Sequence, residues 1–304
     1  MNPALPTTIS QHHLSTLPLR AAAPTNRRRS KASRWSFELA LIAVLYGCYM
    51  AGRAAMGVHT GAAVERGQEI LDLEALAGLD IERPLNSMVT AIPPVALLFA
   101  YLYATLHYVV TPLVLVWTGV RRSERYRQAR NALLVATAVG LLGYWQLPTA
   151  PPRLLDDGFI DVMGRFSDVG WWGDAASAPR GMESLSNQFA AFPSLHVGWA
   201  MWVALCLSRN VRSRAVRGLA SAYPVLMSVV VMATANHYLL DAAAGVACAV
   251  LGYWVAGRLE RRLAARAIPR TRPAGPNAAS PIPTRSRPAE MVQLLDKEPD
   301  ELCA

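Results

Sequence analysis

The sequence predicts an all-α polytopic membrane protein, a bundle of six transmembrane helices. Three observations carry that expectation. Of 304 residues 53% are hydrophobic and only 17% charged, the mean hydropathy is +0.22, and uncharged runs recur near the roughly 20 residues a helix needs to cross the hydrocarbon. A soluble globular domain is less apolar than this.

Taken in order, six stretches free of Asp, Glu, Lys and Arg are candidate spans: 39–52, 87–120, 131–152, 184–208, 218–240 and 242–257. The first is short and ends at Arg53, a residue suited to snorkelling. The second contains Pro93 and Pro94. The last two are divided only by Asp241, with a turn expected near Asn236. Basic clusters at 27–34, 121–130, 209–217 and 258–272 fall on one side of this pattern. The intervening segments 57–86 and 151–183 carry six acids each, against two and three arginines, so the alternation assigns them to the opposite side. Both termini are therefore expected in the cytoplasm of an integral protein of the cell membrane, with membrane lipids as its partners. The excess of 30 Lys and Arg over 21 Asp and Glu reads as this topological signal, and no nucleic-acid partner is expected.

Four parts are expected: a disordered basic cytoplasmic arm (1–34), a first transmembrane helix with an outer amphipathic segment (35–86), a catalytic membrane domain (87–258) and a disordered cytoplasmic tail (259–304). The amphipathic stretch 65–81, with Ile70, Leu71, Leu73, Leu76 and Leu79, suits a helix lying on the outer face and roofing a site. Cys48, Cys206, Cys248 and Cys303 are far apart and form no CxxC, which argues against a disulfide framework or a zinc finger. A cleaved signal peptide is not expected, and Tyr46 is too bulky for a lipoprotein-type site at Cys48.

An ionisable side chain inside a membrane segment costs about 2.5–3.5 kcal/mol on insertion scales, so such residues usually have a task. His237 and Asp241 stand four apart, a spacing that puts both on one helix face and lets the carboxylate accept the imidazole N–H. The free ring nitrogen then suits a nucleophile or general base; a purely structural His–Asp tie between helices is the alternative. Pro193 suits the first turn of a helix, and Ser194 adds a hydroxyl beside unpaired amides, an anion-binding arrangement. His196 projects from the same turn as a candidate acid, or as a packed interfacial histidine. Arg153, after Pro151 and Pro152, can pair phosphate oxygens or snorkel to lipid headgroups. Convergence of the three motifs at one membrane face favours the chemical reading. A metal held by His196, His237 and Asp241 is a further alternative; the leading reading needs no metal and no cofactor. His107 is expected to make a structural interhelical hydrogen bond, and Trp145, Trp171 and Trp172 an interfacial belt.

The order of an Arg motif, Pro193-Ser194-Leu195-His196 and His237-x3-Asp241 on successive membrane segments resembles the type 2 phosphatidic acid phosphatase (PAP2) superfamily. The segments 191–199 and 236–241 look most like its branch related to inositol phosphorylceramide synthases. This resemblance implies a six-helix bundle of the PAP2 type. It implies His237 as a nucleophile forming a phosphohistidine, Asp241 as its orienter, His196 as acid to the leaving group, and Ser194 with Arg153 as phosphate ligands. Two usual cations are absent: Gln146 stands where the superfamily has Lys and Val231 where it has Arg, while Leu154 replaces a Pro. Arg180, Arg165, Asn236 and Gln188 are the candidates to compensate.

The expected function is a membrane phosphatase or phosphotransferase acting on a lipid phosphate or phosphodiester at the extracytoplasmic face. The alternatives are inositolphosphotransferase-like transfer to a polyol or glycolipid, and a catalytically inactive lipid-binding or scaffolding protein.

Overall fold

The computed structural model describes residues 60–173, 179–181 and 187–267, together with Ser36, Ala40 and Gly47. The expected first span at 39–52, apart from Ala40 and Gly47, the N-terminal arm and the tail beyond 267 lie outside the described residues, as do Cys48 and Cys303. Among the described residues from 60 to 267, eight α-helices follow in order: α1 (Thr60–Leu76), α2 (Glu82–Thr90), α3 (Pro93–Arg121), α4 (Ser123–Gln146), the one-turn α5 (Val162–Arg165), α6 (Leu195–Asn210), α7 (Arg214–Ala233) and α8 (Leu239–Ala267). Among the described residues there is no β-strand, only isolated bridges such as Thr149 with Ala190.

Three of these helices, α3, α7 and α8, are long and apolar enough to cross a membrane. Helix α6 has only 16 residues. The first turns of α4 carry Glu124, Arg125, Arg127 and Arg130, so the basic run 121–130 does not simply follow a helix: α4 begins inside it. The expected single span 87–120 is likewise divided. Pro93 and Pro94 occupy the first turn of α3, where a missing N–H costs no hydrogen bond, and the chain breaks at Ala91–Ile92 before them. Pro193, in contrast, is not in a first turn. Ser194 is the N-cap and Leu195 the first residue of α6.

Each long helix turns one stripe inward. On α3 the stripe is Ala96, Ala100, Tyr103, Ala104, His107, Thr111, Val114 and Thr118, stepping by three or four residues. Its upper part joins Met227, Val230 and Val231 of α7 and Val197 and Ala200 of α6 in one core cluster. A second cluster sets Trp202, Val203 and Cys206 of α6 against Ala129 and Ala132 of α4 and Ala249 and Tyr253 of α8. Trp202 donates its indole N–H to the Ala129 carbonyl at 2.8 Å, and Trp199 to the Thr137 hydroxyl at 2.9 Å, which sets the register of α6 on α4.

Helices α6 and α8 pack closely at two glycines. A Cβ on Gly198 would stand 3.0 Å from the Gly245 carbonyl oxygen, and one on Gly245 would overlap the Ser194 carbonyl. At the opposite end of the bundle the Arg125 guanidinium donates to the Arg209 carbonyl, so the α3–α4 and α6–α7 turns, both arginine-rich, lie side by side.

Helix α1 differs from the amphipathic segment expected. It starts at Thr60, and its inward stripe is Ala63, Gly67, Leu71 and Glu74. Leu73 and Leu76 are exposed, because a 3.6-residue period cannot bury them together with Glu74. Gly245→Ala is expected to destabilise the protein by about 1–3 kcal/mol through overpacking. Thermal melts in detergent, with an alanine substitution at exposed Gly218 for comparison, measure it.

Candidate active site

Three loops meet at the end of the bundle opposite the arginine-rich turns, and main-chain hydrogen bonds join them. Thr149 N–H donates to the Phe189 carbonyl at 2.8 Å, and Ala191 N–H returns to the Thr149 carbonyl at 3.3 Å. Arg153 N–H donates to the Ala235 carbonyl, and Ser194 N–H to the Asp241 carbonyl, both at 2.9 Å. These bonds fix the loop after α4, the loop before α6 and the α7–α8 turn against one another before any side chain is considered.

The α7–α8 turn is tight. Ala235 adopts φ +56°, a left-handed conformation that costs a residue with a Cβ about 1–2 kcal/mol. The reversal aims the amides of Asn236 and His237 back at the Val231 carbonyl, at 3.0 and 3.2 Å. Val231 is fully buried among apolar side chains. At this position the structure offers a carbonyl acceptor and a packed valine, with no cation.

His237 precedes α8 by two residues, so the four-residue spacing to Asp241 is not a spacing along one helix face. The two side chains meet because Asp241 folds back over the helix start. Its Oδ2 accepts the Tyr238 amide at 2.9 Å and lies 3.3 Å from His237 Nδ1. The nearer partner of His237 Nδ1 is the Ala191 carbonyl at 2.8 Å. Nδ1 therefore donates, and the lone pair belongs to Nε2. The Ala191 carbonyl carries no side-chain signal that a sequence could display.

Arg153 lies in a buried one-turn 3-10 helix, Pro152–Leu154. Its Nε donates to Asn236 Oδ1 at 3.0 Å and its Nη1 to Asp161 Oδ2 at 3.3 Å. Asn236 in turn donates to the Thr234 carbonyl at 3.0 Å. Asn236, the residue before His237, thus links the guanidinium to the α7–α8 turn. The snorkelling alternative for Arg153 does not describe this geometry, since its side chain is only 2% exposed.

His196, in the first turn of α6, stacks on Tyr103 with ring centroids 4.4 Å apart. It meets His107 edge-on at 4.4 Å and His237 at 5.6 Å. Its Nε2 is buried with no hydrogen-bond partner among the described residues. His107 bonds the carbonyl of Tyr103 in its own helix at 3.1 Å, so the expected interhelical hydrogen bond is replaced by ring contact with His196. The inward stripe of α3 carries it there. Ser194 is fully buried, and its hydroxyl caps α6 by accepting the Val197 amide at 3.5 Å.

The other candidates are held elsewhere. Arg180 donates to the carbonyls of Trp172 and Ser167, and Arg165 to the Thr90 carbonyl. Gln188 is exposed. Trp172 is no part of an interfacial belt: it is fully buried and donates to the Met163 carbonyl at 3.0 Å. Trp145 is exposed, as a belt residue would be.

A family model of the PAP2 superfamily matches residues 68–255, more than half of the chain. The chain belongs to the PAP2 superfamily. This is a superfamily of phosphatases and phosphotransferases. The chain is also 30% identical over 149 residues to the phosphoinositol dihydroceramide synthase of Bacteroides thetaiotaomicron, a match that covers 43% of this chain and 46% of that protein. The matched stretch thus spans about half the length of that curated relative. Among solved structures, LpxE of Aquifex aeolicus aligns over 59% of this chain and 94% of that one, with 17% identity and a TM-score of 0.44.

Sequence reasoning missed two features of this PAP2 site besides His107. Glu74 and Glu82 reach the start of α8. Asn86 of α2 donates to the carbonyls of Ile160 and Ala233 and accepts the Ile160 amide, with distances of 2.9–3.0 Å. It therefore ties the end of α7 to the loop that carries Asp161. Asn86→Ala strands those groups and is expected to cost about 1–3 kcal/mol. Chemical denaturation in micelles checks this, with Asn86→Asp as the partial replacement.

Proposed function

We propose that this chain is an integral membrane phosphoesterase that transfers the phosphoryl or phosphodiester group of a lipid through a phosphohistidine at His237. The observation that carries this reading is the meeting of His237, His196 and the Arg153–Asn236 pair at one end of the bundle. In this reading His237 Nε2 attacks phosphorus while Nδ1–H is held by the Ala191 carbonyl and Asp241. His196 protonates the departing oxygen. Arg153 binds equatorial oxygens, and Ser194 contributes from the N-cap of α6. A second acceptor, water or an alcohol, then takes the group from His237. The reaction needs no metal or other cofactor.

The relative's name favours a transferase within this class. A phosphoinositol lipid is then the donor and a dihydroceramide-like alcohol the acceptor, with hydrolysis as the competing outcome. Sidedness follows from charge. The arginine-rich turns lie at the end opposite the site, which supports an extracytoplasmic site in a six-crossing bundle with cytoplasmic termini. A silent scaffold is the remaining reading, and the same experiment addresses it.

Full-length protein in micelles is incubated with radiolabelled phosphatidylinositol or phosphatidic acid, with and without ceramide. Label is expected on the protein at His237 and in a ceramide product. His237→Ala is expected to lower turnover by about a thousandfold or more, and Arg153→Ala by about a hundredfold. Free phosphate release that ceramide does not divert assigns a phosphatase. Wild-type turnover in His237→Ala sinks the phosphohistidine. Turnover unchanged in excess chelator is the expected result for a reaction without metal.

A further inference from the structure

The first three amides at the start of α8 are each taken by a different carboxylate. Asp241 Oδ2 takes the Tyr238 N–H from within the helix. Glu82 Oε1 of α2 takes the Leu239 N–H, and Glu74 Oε1 of α1 takes the Leu240 N–H, both at 2.7 Å. These are the amides that a helix start leaves without internal partners, and they follow His237 directly. Capping is usually done by a neighbour in sequence. Here it comes from two helices more than 150 residues away.

Both glutamates are almost completely buried, at 1% and 0% exposure, and the second carboxyl oxygen of each is buried without a hydrogen-bond partner among the described residues. Loss of water and the neighbouring carboxylates push Glu74 from its ordinary 4.5 up to about 8, and burial pushes Glu82 upward as well. The charged or titratable groups facing the pair are Asp80 beside Glu82, Asp241 beside Glu74, and the Tyr238 phenol, which feels both. The nearby arginines are engaged elsewhere: Arg83 with Asp80 and the Asp157 carbonyl, Arg66 with the Pro148 carbonyl.

We propose that Glu74 and Glu82 are positioning residues for His237, holding the Leu239 and Leu240 amides so that α1 and α2 set the first turn of α8 and the imidazole before it. This rests on His237 acting as the nucleophile. The capping geometry and its consequences for stability do not depend on that reading. Glutamine keeps an oxygen for the amide and removes the carboxyl's titration; alanine removes the oxygen itself.

The sign of the pH dependence follows from the raised value. A carboxyl that holds its proton more tightly folded than unfolded stabilises the protein fully below about 4.5, progressively less as pH rises, and not at all above about 8.

The test uses full-length wild type, Glu74→Ala, Glu74→Gln, Glu82→Ala and Glu82→Gln in micelles. Wild-type Tm is expected to fall as pH rises from 5 to about 8 and then level, and Glu74→Gln to flatten that slope. Hydrogen–deuterium exchange of peptides spanning 237–241 is expected to quicken in the alanine variants and stay near wild type in the glutamine variants. Turnover of the labelled lipid donor is expected to fall about a hundredfold in kcat with little change in KM for alanine, and to return with glutamine below pH 7. Wild-type exchange and kcat in both alanine variants overturn the proposal, as does an unchanged pH slope in Glu74→Gln. Should an alanine variant fail to fold, the slope and exchange of the glutamine pair decide. Should His237→Ala keep wild-type turnover, the nucleophile reading fails by itself, and slope and exchange still report on the capping.

Discussion

Gly198 and Gly245 let α6 and α8 touch backbone to backbone, and the geometry of the site depends on that contact. With no side chain between the helices, the Ser194 amide reaches the Asp241 carbonyl at 2.9 Å and the first turn of α6 lies across the start of α8. His196 and His237 belong to those two starts, which is why their rings come within 5.6 Å. Any Cβ at Gly245 must displace main chain, and main chain in a packed bundle has nowhere to relax. Small residues are the usual means by which membrane helices approach so closely, since lipid supplies little hydrophobic force between them.

The polar groups at this end form a nearly closed hydrogen-bonded set inside an apolar bundle. Arg153 is held by Asn236 and Asp161, Asn86 by three main-chain groups, and His237 by Ala191 and Asp241. Several atoms here are buried without a hydrogen-bond partner among the described residues, among them His196 Nε2, Asp241 Oδ1 and the second carboxyl oxygens of Glu74 and Glu82. A buried polar atom without a partner is costly. A transient partner at His196 Nε2 is what the proposed acid role requires.

Division of labour along the bundle axis follows from the same economy. One end carries the arginine-rich turns, joined by Arg125 and the Arg209 carbonyl. The other end gathers the carboxylates, the histidines and the guanidinium of Arg153. The middle of the bundle is filled by apolar and small residues such as Ala100, Ala200, Val203 and Met227.

Composition and apolar run length alone determined the helical membrane class, because a helix in lipid must satisfy its backbone internally and be clothed in apolar side chains. The motif residues Arg153, Ser194, His196, His237 and Asp241 were legible because ionisable or capping groups stand out in such surroundings. Where the helices begin was not, as the break before Pro93 and the start of α4 within a basic run demonstrate: boundaries depend on local caps that hydropathy does not register. The roles of Glu74, Glu82, His107 and the Ala191 carbonyl were decided only by tertiary structure. Two acids in an outer helical segment look like a solvated face until a third helix, more than 150 residues later, presents its free amides to them. A histidine on an inward stripe looks structural until another ring packs against it, and a carbonyl oxygen is present at every residue. Which of these groups meet is set by how α1, α2 and α3 pack around α6 and α8, and that packing is a long-range property no local pattern encodes.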